Sequence, residues 1–120
     1  MEKKTLVIGA SENPRRYSHL AIIRLQKKNI PVVAIGKRKG KVDGIEIGNE
    51  KKHFENIHTV TLYLNPENQK EYFDYIKSLK PKRVIFNPGA ENPEFEKLLQ
   101  ENKIETIEAC TLVMLSIGNY

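Results

Sequence analysis

The stretch Gly9-Ala10-Ser11-Glu12-Asn13-Pro14-Arg15-Arg16-Tyr17-Ser18 gathers the groups best suited to holding an anion. Gly9 has no side chain, and Ala10 and Ser11 have small ones. Such residues permit a tight turn and close approach of the main chain to a phosphate. Ser11 and Ser18 add hydroxyl donors. Arg16 adds a planar guanidinium that pairs with phosphate oxygens. Arg15 has the same chemistry, but one of two adjacent arginines is expected to face solvent. A helix starting at the end of this stretch would turn its free N–H groups and positive dipole end to the same anion. The full dinucleotide fingerprint G-x-G-x-x-G is absent, because Gly9 is the only glycine of the stretch.

A second group of residues, Gly36-Lys37-Arg38-Lys39, follows a β-branched run. An NAD enzyme places an acidic residue at this point to hold the ribose hydroxyls. A basic cluster suits instead a ribose bearing an extra phosphate, the 3′-phosphate of coenzyme A or the 2′-phosphate of NADP. The plain alternative is an exposed loop with no ligand. Four of the six prolines follow asparagine: Asn13-Pro14, Asn65-Pro66, Asn87-Pro88 and Asn92-Pro93. At Asn65 and Asn92 the pair reads as a helix cap followed by proline in the first turn. At Asn13 and Asn87 it reads as part of a longer, rigid loop of the kind that carries binding sites.

No residue set reads as a catalytic centre. Cys110 is the only cysteine, which excludes an internal disulfide and a cysteine-built zinc site. A lone cysteine beside an apolar run behaves as a small hydrophobe. His19 lies near the first loop, and His53 and His58 have no partners at metal-ligand spacing. Glu91 and Glu94 precede or open a helix, where the dipole already favours them. No serine, histidine and aspartate set assembles.

These loops need elements to position them. Lys4 to Ile8 reads as a buried strand, Ser18 to Asn29 as a helix capped by Ser18, and Pro31 to Ile35 as a second strand. Val42 to Ile45 reads as the tight turn of a small hairpin. Thr59 to Leu64 is a third strand. Pro66 to Leu79 is a helix with Tyr72, Phe73 and Ile76 inward, and Arg83 to Phe86 a fourth strand. Pro93 to Asn102 is a helix with Phe95, Leu98 and Leu99 on its apolar face. Glu105 to Ala109 is a fifth strand, and Thr111 to Ile117 a closing helix or turn. Strands alternating with helices predict an α/β fold: a doubly wound, mainly parallel five-stranded sheet, Rossmann-like, with its ligand beyond the carboxyl ends of the strands.

The length of 120 residues predicts a single domain over residues 1–120. Hydrophobic content of 39% and charged content of 29% are those of a globular protein. No apolar run approaches a membrane span or a signal peptide, so the expected location is cytoplasmic. The formal net charge of +5 suits an anionic partner. The clusters Lys27-Lys28, Lys51-Lys52 and Lys80 to Arg83 read as solvated surface. A nucleic-acid-binding or basic interaction protein is the weaker reading, because no nucleic-acid motif and no single basic stripe is present. An NADP-dependent reductase is a second alternative, for which the chain leaves no room for a substrate domain.

The first loop, from Gly9 to Ser18, resembles that of the small bacterial and archaeal CoA-binding proteins. Asn87-Pro88-Gly89-Ala90-Glu91-Asn92 and Glu108-Ala109-Cys110-Thr111-Leu112-Val113-Met114-Leu115 are similar to two later stretches of the same family. These proteins are single Rossmann-like domains, similar to the CoA-binding domain of the succinyl-CoA synthetase alpha subunit. The resemblance spans essentially the whole chain. It implies that Gly9, Ala10, Ser11, Asn13, Arg16, Tyr17 and Ser18 hold the diphosphate and adjoining sugar of coenzyme A or an acyl-CoA. It places Gly36, Lys37 and Arg38 near the adenosine end and Leu64 and Asn65 beside the nucleotide. Asn87, Pro88 and Gly89 would flank the path of the pantetheine arm. The chain departs from the family after the second strand, where many members have Asn-Pro and it has Gly36-Lys37. The implied role is binding, with no evident catalysis.

Overall fold

The computed structural model describes residues 2–120. The apolar runs form strands β1 (Thr5–Ile8), β2 (Val32–Ile35), β5 (Thr59–Leu62), β6 (Arg83–Phe86) and β7 (Glu105–Glu108). The expected hairpin is present as β3 (Gly40–Val42) and β4 (Ile45–Gly48), which pair antiparallel. Asp43 and Gly44 both have positive φ, 49° and 84°, as a two-residue turn requires to match the strand twist. The hairpin does not stand apart: β4 pairs in parallel with β2 and extends the five predicted strands to seven, in the order β3-β4-β2-β1-β5-β6-β7. The remaining pairs are all parallel.

Helices α1 (Tyr17–Lys27), α2 (Pro66–Gln69), α3 (Phe73–Leu79), α4 (Pro93–Glu101) and α5 (Thr111–Ile117) cover the two faces. Alternate residues of each strand point to opposite faces. Leu6, Ile8, Val60, Leu62, Val84 and Phe86 therefore meet Ile76, Leu79, Phe95 and Leu99 on one side. Val7, Ala34 and Ile85 meet Ile22, Leu25, Met114 and Leu115 on the other. Burial on both faces explains why the inner strands are mostly apolar, with Thr5, Thr59, Thr61 and Arg83 the buried polar exceptions in β1, β5 and β6. The edge strand β7 is half-exposed and begins and ends on glutamate, which discourages pairing with another sheet.

Four expectations change. Ser18 does not cap α1: the helix starts one residue earlier, Arg16 is the N-cap, and Ser18 is buried in the first turn. The segment Pro66–Leu79 is not one helix but α2 and α3 joined by a 3-10 turn over Lys70–Tyr72, a winding common at helix junctions. Leu98 is exposed, because only the Phe95–Leu99 line of α4 meets the sheet. Arg83 is buried rather than solvated: its Nε donates to Thr59 Oγ1 at 2.8 Å and its guanidinium lies 4.5 Å from the centre of the Tyr120 ring.

Candidate functional site

Strand β1 lies between β2 and β5, so the chain leaves it toward opposite edges of the sheet. Such a switch point opens a crevice beyond the carboxyl ends of the strands. Here that crevice is about 910 Å3, within the size range of ligand sites. Its floor depends on two glycines. Gly9 has φ +94°, and a Cβ there would lie 2.7 Å from the Tyr63 carbonyl oxygen. Gly36 packs so closely on Ala10 that a Cβ would overlap the Ala10 carbonyl oxygen. The amides of Gly9 and Ala10 both donate to the Ile35 carbonyl, at 2.9 and 3.0 Å. The first loop is thus set against the ends of both neighbouring strands.

The loop is rigid by its own hydrogen bonds. Asn13 N–H donates to Ser11 Oγ at 3.0 Å, and Arg15 N–H donates to Asn13 Oδ1 at 3.0 Å, a turn asparagine readily makes. Arg16 N–H donates to the Asn13 carbonyl at 3.0 Å. His19 Nδ1 donates to the Ser11 carbonyl at 3.2 Å, so this histidine braces the loop. At the start of α1, no side chain caps the helix and no acidic residue lies in the first turn. The N–H groups of Tyr17 and Ser18 have no protein acceptor among the described residues. Tyr17 and Ser18 line the crevice together with Arg15 and Arg16. Tyr17 is 72% exposed and stands at the lip of the crevice.

Of the residues expected from sequence, Gly9, Ala10, Ser11, Asn13, Arg16, Tyr17, Ser18, Lys37, Arg38, Leu64, Asn65, Pro88 and Gly89 line this one crevice. Two do not. Gly36 is buried beneath it, serving the close contact with Ala10. Asn87 is buried too and fully engaged: its Nδ2 donates to Thr61 Oγ1 at 2.7 Å and to the Leu62 carbonyl at 2.9 Å. Its Oδ1 accepts from Thr111 N–H at 2.8 Å. Asn87 is a strut tying β5, β6 and the start of α5 together. Asn65 faces the crevice while its side chain accepts from Asn68 N–H at 2.9 Å, capping α2 as expected.

Sequence reasoning missed several residues. Arg15, set second to Arg16 in the sequence reading, lines the crevice beside it, and both are exposed. Glu12 also lines it. Its Oε2 accepts from Lys41 N–H at 2.9 Å, and its carboxyl group rests where a Cβ on Gly40 would sit. The carboxylate therefore latches the basic second loop to the first. Gln69 is buried and donates to the carbonyls of Leu64 and Ala90 at 2.8 and 2.7 Å, bridging the loops after β5 and β6. Nothing in a single-helix reading of Pro66 to Leu79 marks it. Tyr63 also lines the crevice; its hydroxyl is buried near Thr61 and Thr111 with no hydrogen-bond partner among the described residues, and burial pushes the phenol pKa well above its ordinary value.

The chemistry on offer is electrostatic and geometric. Cys110 is half-buried at the start of α5 and does not line the crevice. Among the described residues, no group of histidine, cysteine, aspartate or glutamate is placed to hold a metal ion, and no helix is long and apolar enough to cross a membrane.

Comparison with known proteins agrees with this architecture. A crystal structure of an uncharacterized protein is 51% identical, covering 100% of this chain and 99% of that one, with a TM-score of 0.97. A protein from Thermus thermophilus (cell-free ID.343) shares the fold at 22% identity and a TM-score of 0.87, over 99% and 91% of the two chains. A hypothetical protein from Pyrococcus horikoshii OT3 does so at 21% identity and 0.88, over 97% and 83%. No curated protein matches the chain. The family profile described as "CoA binding domain" matches residues 3–116, and the chain belongs to that CoA-binding domain family.

Proposed function

We propose that the crevice binds coenzyme A or an acyl-CoA and that the chain works as a binding module rather than as an enzyme. The observation that carries this reading is the start of α1. Among the described residues, two main-chain N–H groups there have no protein acceptor and no side chain caps the helix, and its first residues line one crevice with two arginines. A helix start of this kind favours an anion through its N–H groups and its dipole. The diphosphate sits there, against Ser11, Asn13 and Arg16. The ribose 3′-phosphate lies with Lys37 and Arg38, and Leu64 and Asn65 border the nucleotide. The pantetheine arm leaves past Pro88 and Gly89. Gly36 and Asn87 serve the site from beneath it, by shaping its floor. Family membership supports the choice of coenzyme A over NADP.

The experiment is a thermal-shift and calorimetric comparison of coenzyme A, dephospho-coenzyme A, NADP and ATP. A ligand at a hundred times its Kd stabilises a fold by about 2.7 kcal/mol, which for a chain of this size raises Tm by roughly 10 °C. Coenzyme A is expected to reach that shift, and removal of its 3′-phosphate to weaken binding. Tighter binding of NADP than of coenzyme A would overturn the reading. Equal binding of the dephosphorylated form would remove the role of Lys37 and Arg38 alone.

A further inference from the structure

The opposite edge of the sheet carries a second concavity. At the amino ends of β6 and β7, a shallow cleft of about 400 Å3 lies between the end of α3 and the turn after α4. Lys77, Lys80, Lys82 and Lys103 line it, with Pro81 and Ile104 among them. No carboxylate lies within ion-pair distance of any of these four lysines among the described residues, where the ion pairs are Lys51–Glu71 and Lys70–Glu67. The negative ends of α3 and α4 favour a cation near each, but not four cations around one hollow.

The backbone singles out two of them. Five non-glycine residues have positive φ: Asn29, Asp43, Asn56, Lys80 and Lys103. Asparagine and aspartate tolerate that region, and glycine is the favoured residue just past a helix end. The two lysines are the exceptions, with φ of 50° and 62°, and both line this cleft. Glycine would fit either backbone with less strain, and the side chains these positions carry are exposed lysines at the rim of the cleft. His58 lies near this edge; its pKa is lowered first by burial and then by Arg83, Lys3 and Lys82, with Glu105 opposing them, and of these cations Lys82 lines the cleft.

We propose that this cleft is a second anion site, separate from the crevice, and that it takes a compact oligophosphate of two or more linked phosphate groups. Lysine ammoniums act as point charges suited to a multivalent phosphate, whereas planar carboxylates are better matched by arginine forks. The volume lies at the low end for small-molecule sites. No aromatic ring lines the cleft, so it offers no stacking platform for the bases of a single-stranded nucleic acid.

The test is a 15N-resolved NMR titration with tripolyphosphate at low ionic strength, on the whole chain and on the double variant Lys80→Gly/Lys103→Gly. Glycine relieves the left-handed backbone, so the variant is expected to fold with an equal or higher Tm. Saturable shifts are expected at the amides of residues 80 and 82 and residues 102–104, with affinity at least tenfold weaker in the variant. Shifts confined to residues 9–18 and 37–39, shifts that never saturate, or equal affinity in the variant would overturn the site. Tighter binding of an oligonucleotide than of tripolyphosphate, at matched phosphate concentration and on the same amides, would overturn the ligand class. None of these outcomes depends on what the crevice holds.

Discussion

Replacing Asn87 by alanine separates a strut from a ligand contact. The side chain makes three buried hydrogen bonds, to Thr61 Oγ1, to the Leu62 carbonyl and from Thr111 N–H, all between 2.7 and 2.9 Å. Each such bond contributes about 1 kcal/mol net, and a buried donor left without an acceptor loses about 1–3 kcal/mol. Thr111 is fully buried, so its N–H has no ready substitute. Thr61 Oγ1 keeps its bond to Thr111 Oγ1 at 2.8 Å, which limits the loss on that side. The sum is a destabilisation of about 3 kcal/mol, which lowers Tm by roughly 10 °C in a domain of this size. Urea unfolding followed by circular dichroism measures the first quantity and calorimetry the second. Coenzyme A affinity, measured well below the lowered Tm, is expected to change less than about threefold, a difference of under 1 kcal/mol. A variant with unchanged Tm that no longer binds coenzyme A would refute the reasoning, because it would make Asn87 a ligand contact and not a strut.

Arg16→Ala is the complementary case: Arg16 is exposed, so Tm is expected to stay within about 1 °C. Coenzyme A affinity should fall by about ten- to a hundredfold, the worth of one or two hydrogen bonds to a charged group, read by calorimetry. Glu12 separates charge from positioning. Glu12→Gln keeps an acceptor for Lys41 N–H while removing a negative charge from the crevice, so coenzyme A is expected to bind more tightly. Glu12→Ala unlatches the second loop, and the affinity ratio between coenzyme A and its dephospho form is expected to fall toward one. Glu96 sets a pH dependence. Burial, and then the neighbouring Glu108 carboxylate, hold its pKa above the ordinary 4.5. A carboxyl group whose folded pKa is raised is stabilising only while protonated, so its contribution is lost as pH rises from about 4.5 toward its folded pKa. Glu96→Gln should therefore raise Tm at pH 8 relative to wild type and leave it nearly unchanged at pH 4, as a calorimetric pH series would show.

What the sequence displays plainly is what local chemistry decides. The alternation of strands and helices, the Asp43-Gly44 turn and the glycine at the end of β1 each follow from a few adjacent residues, and each is present. The features it conceals depend on partners distant in the chain. The hairpin's place in the sheet comes from pairing between β2 and β4. Gln69 reveals its use only when the Leu64 and Ala90 carbonyls converge on it. Arg83 stands in a run of cations, and its burial follows from Tyr120 at the far end of the chain folding over it.

The four Asn-Pro pairs show where that boundary lies. Proline after each asparagine biases the asparagine backbone toward extended conformations, leaving its carboxamide free to bond away from its own peptide. That much is local and identical at every copy. The partner then depends on what the fold brings near. Asn65 and Asn92 each precede a helix, and each accepts from the third amide onward, Asn68 and Phe95. Asn13 precedes a turn and accepts from Arg15 N–H, holding the loop that carries both arginines. Asn87 ends β6 beneath two other elements, and its carboxamide spans the gap to Thr61, Leu62 and Thr111. One dipeptide thus caps two helices, fixes one loop and pins one junction. All four lie at the edge of the sheet where the crevice opens, so the same local rule stiffens its walls from several sides. A stiff, preformed cleft loses little freedom when it binds, so the four pairs favour affinity for whatever the crevice holds.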